Sequence, residues 1–286
     1  MIFEFINPSV TEFYNEDVVQ HVAECARVCY ASEPTDDRFA KNIALYNSLI
    51  KRKHLSMLRH ATYYFKFSKD EYNDDQFVKF IAHSPYNSMV IDGTDVYVAI
   101  NGHFNYLHKV TSIFNEHSVT REEIDANPTA RRIMRYTFVV VCNISISREL
   151  NRVSPNNIAE QSTRYVNFGN KTIQVVKPYW YDSETDRVKL IYKTALENSF
   201  TAYNKLSAYG LVPQFARGVL PLDTATKCIY TYSTKEWNDI VEKRYFGSTG
   251  TPHPDAKVIG ELILKKLIEH NQIYFIDKQY LDTLNF

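Results

Sequence analysis

Glycine is scarce in this chain, eight residues in 286, and none of them falls in a GxGxxG arrangement. That excludes the glycine-rich turn by which doubly wound sheets approach a dinucleotide pyrophosphate. Cysteine is equally sparse, with Cys25, Cys29, Cys142 and Cys228 and no CxxC pair, so zinc-ribbon spacing is absent. Cys25 and Cys29, four apart in a helical stretch, are badly spaced for a bridge, and four reduced, mostly buried thiols are expected. Net charge is missing too, with 33 Lys+Arg against 33 Asp+Glu. This argues against a nucleic-acid partner held by a broad basic surface, while leaving room for a local anion pocket. The longest apolar cluster, FVVVC, is far too short to cross a bilayer, and MIFEFINPSV carries no basic n-region. A soluble, cytoplasmic protein with no membrane partner is expected.

What is present is a core-forming composition, 44% hydrophobic with 21 Tyr and 17 Phe. NEDVVQHVAECARVCYAS and DRFAKNIALYNSLIKRK have the 3.6-residue period of amphipathic helices. ATYYFKFS suits a pleated surface, DVYVAING predicts a short strand ending at an Asn-Gly turn, and HFNYLHKVTSIF begins a helix. YTFVVVCNISI is the best strand candidate. DRVKLIYKTALENSFTAYNKLSAYG predicts a long helix closed by Gly210. TATKCIYTYS leads into a helix, TKEWNDIVEKRYF, capped by Ser233 or Thr234, and DAKVIGELILKKLIEHNQIYF predicts a last amphipathic helix. There is no repeat, low-complexity tract or linker, so residues 1–286 are expected to form one compact α+β domain.

Three stretches carry chemistry-bearing side chains. In NRVSPNNIAEQSTRYVNF, Glu160, Ser162 and Arg164 share parity and would line one face of an extended run, with Arg152 across a Pro-Asn-Asn turn. An acceptor beside guanidinium and hydroxyl donors suits a ligand with an anionic end and an NH-bearing ring; a surface ion pair between Glu160 and an arginine is the alternative. In QFARGVLPLDTATKCIYTYSTKEWNDIVEKR, Arg217 lies among apolar residues and is expected to be partly buried and paired with an anion, either a ligand or an internal carboxylate. Arg244 closes the following helix, where favourable interaction with the helix dipole is its simplest role. KHLSMLRHATYYFKF contains His54, Ser56, Arg59 and His60. The histidines lack the i, i+4 spacing of a helical metal pair and no GxSxG elbow is present, so neither a metal site nor a serine hydrolase is expected.

Together these stretches resemble the flavin-dependent thymidylate synthases, the ThyX family. AECARVCYAS resembles its early helix and LIKRKHLSMLRHATYYFKF its histidine-bearing strand entrance. RELNRVSPNNIAEQSTRYVNF is similar to its signature, Arg-His-Arg followed by seven residues, Ser, x and Arg-Tyr. GLVPQFARGVLPLDTATKCIYTYSTKEWNDIVEKR is similar to its C-terminal half. The resemblance covers about 200 residues; residues 69–132 match poorly and are expected to be an inserted or diverged segment.

The resemblance implies a mainly antiparallel sheet flanked by helices, assembled as a homotetramer with sites at subunit interfaces. It implies FAD as cofactor, methylenetetrahydrofolate and NADPH as co-substrates, and one-carbon transfer to C5 of dUMP without a cysteine nucleophile. Glu160, Ser162 and Arg164 fall where the family holds dUMP, and Arg217 where it grips the phosphate. Arg244 falls against the pyrimidine ring, making it, with Ser162, a catalytic candidate. Glu149, next to the signature, is a further base contact that would favour an amino-bearing ring. His54, Ser56 and Ser32 fall at flavin or folate contacts, Arg152 and Ser154 within the triplet, Ser233 and Lys235 where the family has Asn and Arg, and His253 near the flavin. Two departures stand out. Counting ten back from Ser162 gives Arg152-Val153-Ser154, so the histidine and second arginine of the triplet are absent, and Lys235 replaces an arginine. A changed flavin wall also leaves open a hydroxymethyl product, a dCMP substrate, or a non-catalytic nucleotide-binding homologue. Asn101 and His103 are candidates to replace the lost donors.

Overall fold

The computed structural model describes residues 2–31, 36–153, 157–169 and 172–284, so the expected contacts Ser32 and Ser154 lie outside the described residues. Its strands in chain order are β1 (Phe3–Ile6), β2 (Ser9–Glu12), β3 (Thr62–Ser68), β4 (Ser88–Asp92), β5 (Asp95–Asn101), β6 (Ser118–Val119), β7 (Arg135–Asn143), β8 (Ile158–Glu160), β9 (Ile173–Val176) and β10 (Ala225–Ser233). The helices begin with α1 (Val18–Val28), α2 (Arg38–Lys51), α3 (Lys69–Asp74), α4 (Gln76–His83), α5 (Gly102–His108), α6 (Val110–Ile113) and α7 (Arg121–Ala126). They continue with α8 (Ile144–Asn151), α9 (Asp186–Ala208), α10 (Pro213–Ala216), α11 (Thr234–Val241), α12 (Pro254–Glu269) and α13 (Lys278–Leu281).

Two four-stranded antiparallel sheets, β2-β7-β10-β8 and β4-β5-β3-β6, carry the fold, and β1 and β9 form a separate parallel pair. The α+β class and the antiparallel sheets are therefore as the sequence predicts. Residues 69–132 are built into the second sheet, since β4 and β5 pair with each other and β5 with β3. The buried core of the first sheet sets Phe138, Tyr230 and Tyr232 around Trp237, whose indole NH donates to the Tyr136 carbonyl at 3.0 Å. A buried indole needs such a partner to offset desolvation.

Both long strands of this sheet turn directly into helices. Ser233 caps α11 in a reciprocal pair with Glu236, and Asn143 caps α8 by accepting from the Ile146 amide at 2.9 Å. The second cap corrects the expected strand: YTFVVVCNISI is strand only to Asn143, because the asparagine side chain opens the helix there. Asn101 acts likewise, accepting from the Phe104 amide at 2.9 Å, so α5 starts where an Asn-Gly turn was expected. Gly210, at φ +88°, ends α9 in the left-handed conformation that glycine adopts without a Cβ clash. The four cysteines are free; three are buried and Cys29 is half-buried. Burial pushes the Cys25, Cys29 and Cys228 thiols up, which keeps them protonated and poorly nucleophilic. No described helix is long and apolar enough to cross a membrane.

Candidate functional site

A cavity of about 640 Å³ opens between the first turns of α8, the end of β8 and the turn at Arg217–Val219. Ser147, Arg148, Glu160, Ser162, Thr163 and Arg217 line it, with Ile144, Leu220 and Leu222 as its apolar wall. β8 pairs with β10 so that Glu160 stands opposite Cys228 at the sheet edge. One carboxylate oxygen of Glu160 then accepts from Ser147 Oγ at 2.9 Å and from Thr226 Oγ1 at 3.2 Å. Two hydroxyl donors on one oxygen fix the carboxylate as an oriented acceptor. Among the described residues Glu160 forms no ion pair with an arginine, the alternative that the sequence left open.

Arg217 departs from expectation. Its side chain is exposed rather than partly buried, and its Nη1 donates to Thr163 Oγ1 at 3.0 Å. No carboxylate among the described residues pairs with it. The apolar neighbours Phe215 and Val212 are themselves exposed, so they do not enclose the guanidinium. Arg148, one helical step from Ser147, brings a second exposed guanidinium to the same cavity. Two forked cations beside hydroxyl donors suit the oxygens of a phosphate.

Arg164 does not join Glu160 and Ser162. Its amide donates to Ser162 Oγ at 3.2 Å and the Val166 amide to the Ser162 carbonyl at 3.0 Å, closing a turn. The chain is therefore extended only to Glu160, and the parity argument ends there. Arg164 is exposed and lies over the Tyr165 ring, 5.3 Å from its centroid.

Arg244 and Glu149 come together, but neither lines the cavity. The Arg244 guanidinium donates to the Glu149 carbonyl at 2.7 Å and sits 3.7 Å from its carboxylate. That carbonyl belongs to the last turn of α8, where carbonyls lack intrahelical partners, so Arg244 completes the end of α8. Its Nε is buried with no hydrogen-bond partner among the described residues.

The described residues expected at FAD or folate do not line this cavity. His54 is exposed just before the 3-10 turn Leu55–His60, Ser56 is exposed within it, and Arg152 is exposed at the end of α8. The Ser233 hydroxyl donates to Glu236 Oε2 at 2.9 Å, Lys235 pairs with Asp239 at 3.2 Å, and His253 Nδ1 accepts from the Asp255 amide at 3.2 Å. These three side chains are thus engaged in helix caps and a local ion pair. No group of three or more potential metal ligands occurs among the described residues.

A third polar cluster lies in the core. His21 Nε2, Thr137 Oγ1, Thr231 Oγ1 and His60 Nδ1 form a chain of contacts at 3.1, 2.7 and 2.8 Å. Burial depresses His21 to about 4 and His60 to about 3. His60 thus belongs to the core and not with exposed His54. Beside it, buried Arg135 donates to the carbonyls of Arg59, Ala61 and Thr231 and to Thr62 Oγ1, at 3.0–3.1 Å.

The sequence profile of the thymidylate synthase complementing protein family matches residues 69–269, more than two thirds of the chain. The chain belongs to that family. The match takes in the cavity residues and the whole 69–132 segment, whereas α1 and the His54 stretch precede it. Among solved structures, the chain is similar to the UMP/dUMP methylase PolB from Streptomyces cacaoi. With the form bound to 5-Br dUMP the identity is 15%, over 96% of this chain and 98% of that one, at a TM-score of 0.45. With the form bound to 5-Br UMP the identity is 15%, over 95% and 96%, at 0.47. No curated protein sequence matches the chain significantly.

Sequence reasoning missed Ser147, Arg148 and Thr163. The signal for the first two was the Asn at 143 followed by polar residues at helical spacing, which marks a capped helix more strongly than a strand.

Proposed function

We propose that the chain binds a pyrimidine nucleoside monophosphate, dUMP by default, in the cavity beside α8 and transfers a one-carbon unit to its C5. The observation that carries this reading is the joining of oriented Glu160 with Ser162, Arg148 and Arg217 around one cavity, in a member of the thymidylate synthase complementing family. Arg217 and Arg148 hold the phosphate, Ser162 and Thr163 add hydroxyl donors, and Glu160 accepts from an NH or OH of the nucleoside. Fixed donors and an acceptor around the nucleotide orient its ring for attack at C5.

Methylenetetrahydrofolate as carbon donor and NADPH as reductant are the co-substrates the resemblance implies. No step is assigned to FAD, since the described flavin candidates do not line the cavity. Arg244 near the ring and a homotetramer belong to this proposal together: a neighbouring copy would bring its Arg244 and its flavin-side residues to the cavity. The engaged Ser233 and Lys235 favour one second reading, a homologue that keeps the nucleotide and has lost reductive methylation, yielding a hydroxymethyl product or none.

Incubation of the purified chain with dUMP or dCMP, methylenetetrahydrofolate, NADPH and FAD, followed by the mass of the nucleotide, tests the reading. A methylated nucleotide is expected. A hydroxymethylated one selects the second reading, and an unchanged nucleotide across both substrates rejects one-carbon transfer.

A further inference from the structure

Away from the nucleotide cavity, a second opening of about 330 Å³ lies between β7 of the first sheet and β3 and β6 of the second. Tyr14, His21, His60, Arg121, Arg135 and Thr137 are among its lining residues. His21 and His60 are 6% and 1% exposed, and His21 Nδ1 and His60 Nε2 have no hydrogen-bond partner among the described residues. A buried polar atom left unpaired costs free energy, so two of them at one cavity point to a missing partner. Arg135 adds a buried positive charge. Its four bonds go to carbonyl and hydroxyl oxygens, and no carboxylate among the described residues forms an ion pair with it. Arg121 lies over the Tyr14 ring, 4.1 Å from its centroid, and one of its nitrogens donates to Glu12 at 3.1 Å. Both guanidinium charges act on His21, and Arg135 acts on His60 as well. The acidic lining residues Glu16 and Glu122 are exposed, so water screens them while the buried charge is positive.

The other two imidazole nitrogens are joined through two hydroxyls, His21 Nε2 to Thr137 Oγ1, Thr137 to Thr231, and Thr231 Oγ1 to His60 Nδ1. Three contacts need three protons, and the two hydroxyls supply two of them. The third comes from one imidazole N–H. The hydroxyl oxygens are 2.7 Å apart, so one threonine donates to the other. The direction is then the same along the whole chain, with one histidine donating into it and the other accepting. Burial holds the two rings at about 4 and about 3, so both are neutral near pH 7. The ring that donates inward presents a bare nitrogen outward, and the ring that accepts inward presents an N–H. Whichever way the chain runs, the unpartnered nitrogens are one donor and one acceptor.

We propose that this cavity binds a small oxyanion that keeps an O–H at neutral pH, hydrogen phosphate or bicarbonate. Its charged oxygen lies at Arg121 in the field of Arg135. Its O–H donates to the bare imidazole nitrogen, and another of its oxygens accepts from the N–H of the second ring. Sulfate carries the charge but has no proton to give, so it sets an oxygen against the bare nitrogen. Water offers a donor and an acceptor but no charge to set against Arg135. The site is independent of the nucleotide reading, because none of its residues lines the Glu160 cavity.

Calorimetric titration of the full-length protein with phosphate, bicarbonate and sulfate, each at pH 7.5 and constant ionic strength, tests the proposal. Saturable binding of phosphate, bicarbonate or both supports it and identifies the source, with sulfate at least about tenfold weaker. Absence of binding for both at about 10 mM overturns it and leaves water as the occupant. Sulfate binding as tight as theirs also overturns it, by refuting the donor and acceptor pair. Arg121→Gln should weaken the bound oxyanion at least about tenfold, whereas Arg217→Ala should leave it within about threefold. The reverse pattern places the ion in the nucleotide cavity and refutes the assignment. Thr137→Val cuts the proton chain with a side chain of similar shape, and its urea midpoint reports whether the fold is kept. With the chain cut, both unpartnered nitrogens can carry a proton, so sulfate should come within about threefold of the favoured oxyanion. Discrimination as large as in the wild type refutes the role of the chain. Affinity for dUMP should be unchanged in Arg121→Gln, so the nucleotide reading stands or falls separately.

Discussion

The cavity beside α8 is lined by hydroxyls, a carboxylate and two exposed arginines, whereas the cavity beside α5 is walled by Phe80, Tyr86, Phe104 and Leu107. The first takes four of its lining residues from the contiguous stretch Glu160 to Thr163. The second joins Arg59 to His103, 44 residues apart, across a contact that a single Cβ would block. Side chains displayed on a strand end contribute function at little structural cost, whereas a site made by close backbone approach shares its supports with the fold. Damage to the fold should therefore reach the α5 cavity before the α8 cavity.

The largest expected separation comes from Arg135→Ala. Arg135 ties the Arg59 turn to β7 and β10 through four hydrogen bonds, and its loss leaves buried acceptors unpaired. At about 1 kcal/mol per bond plus desolvation, stability should fall by about 3–5 kcal/mol, read as a lower urea midpoint. A variant with an unchanged midpoint would show that the Arg135 contacts are incidental.

Acid should act next, through His21 and His60. Both have folded values, about 4 and about 3, below the ordinary 6.5. Protons therefore bind the unfolded chain more readily. The stability is fully present above pH ~6.5 and is lost as pH falls from there toward ~4, on the order of 3 kcal/mol per histidine. Urea midpoints at pH 7.5 and 5 check the sign. No histidine lines the α8 cavity, so nucleotide affinity corrected for folding should follow phosphate ionisation instead.

Gly102→Ala should cost about 1–3 kcal/mol, the range for forcing an atom into packed surroundings. It should spare nucleotide binding, since Gly102 lies away from the Glu160 cavity. Ser147→Ala is the smallest change. Removing one hydroxyl from Glu160 should lower stability by about 1 kcal/mol or less and weaken nucleotide binding severalfold, as measured by calorimetry.

The same contrast explains what the sequence made legible. Helical period and strand composition located α1, α2, β3, β5, α9 and α12, because those patterns are local. Glu160 and Ser162 line one cavity, as their closeness in the chain led one to expect. Arg164 was misassigned, since the Ser162 hydroxyl accepts the Arg164 amide and bends a run that parity treats as straight. Ser147 and Arg148 were hidden because the expected strand ran past the Asn143 cap. Arg217 lines the cavity but is exposed where partial burial was expected, because Phe215 and Val212 face outward and do not enclose it. The α5 cavity left no trace in any one segment, since its three segments meet only after folding.

Calorimetric titration of dUMP into the wild-type protein and into Arg217→Ala tests the central claim most directly. Saturable binding is expected for the wild type. The variant should keep the same urea midpoint and lose roughly ten- to hundredfold in affinity, the worth of a charged hydrogen bond to phosphate. Equal affinity in the two proteins would contradict the assignment of this cavity to a nucleotide.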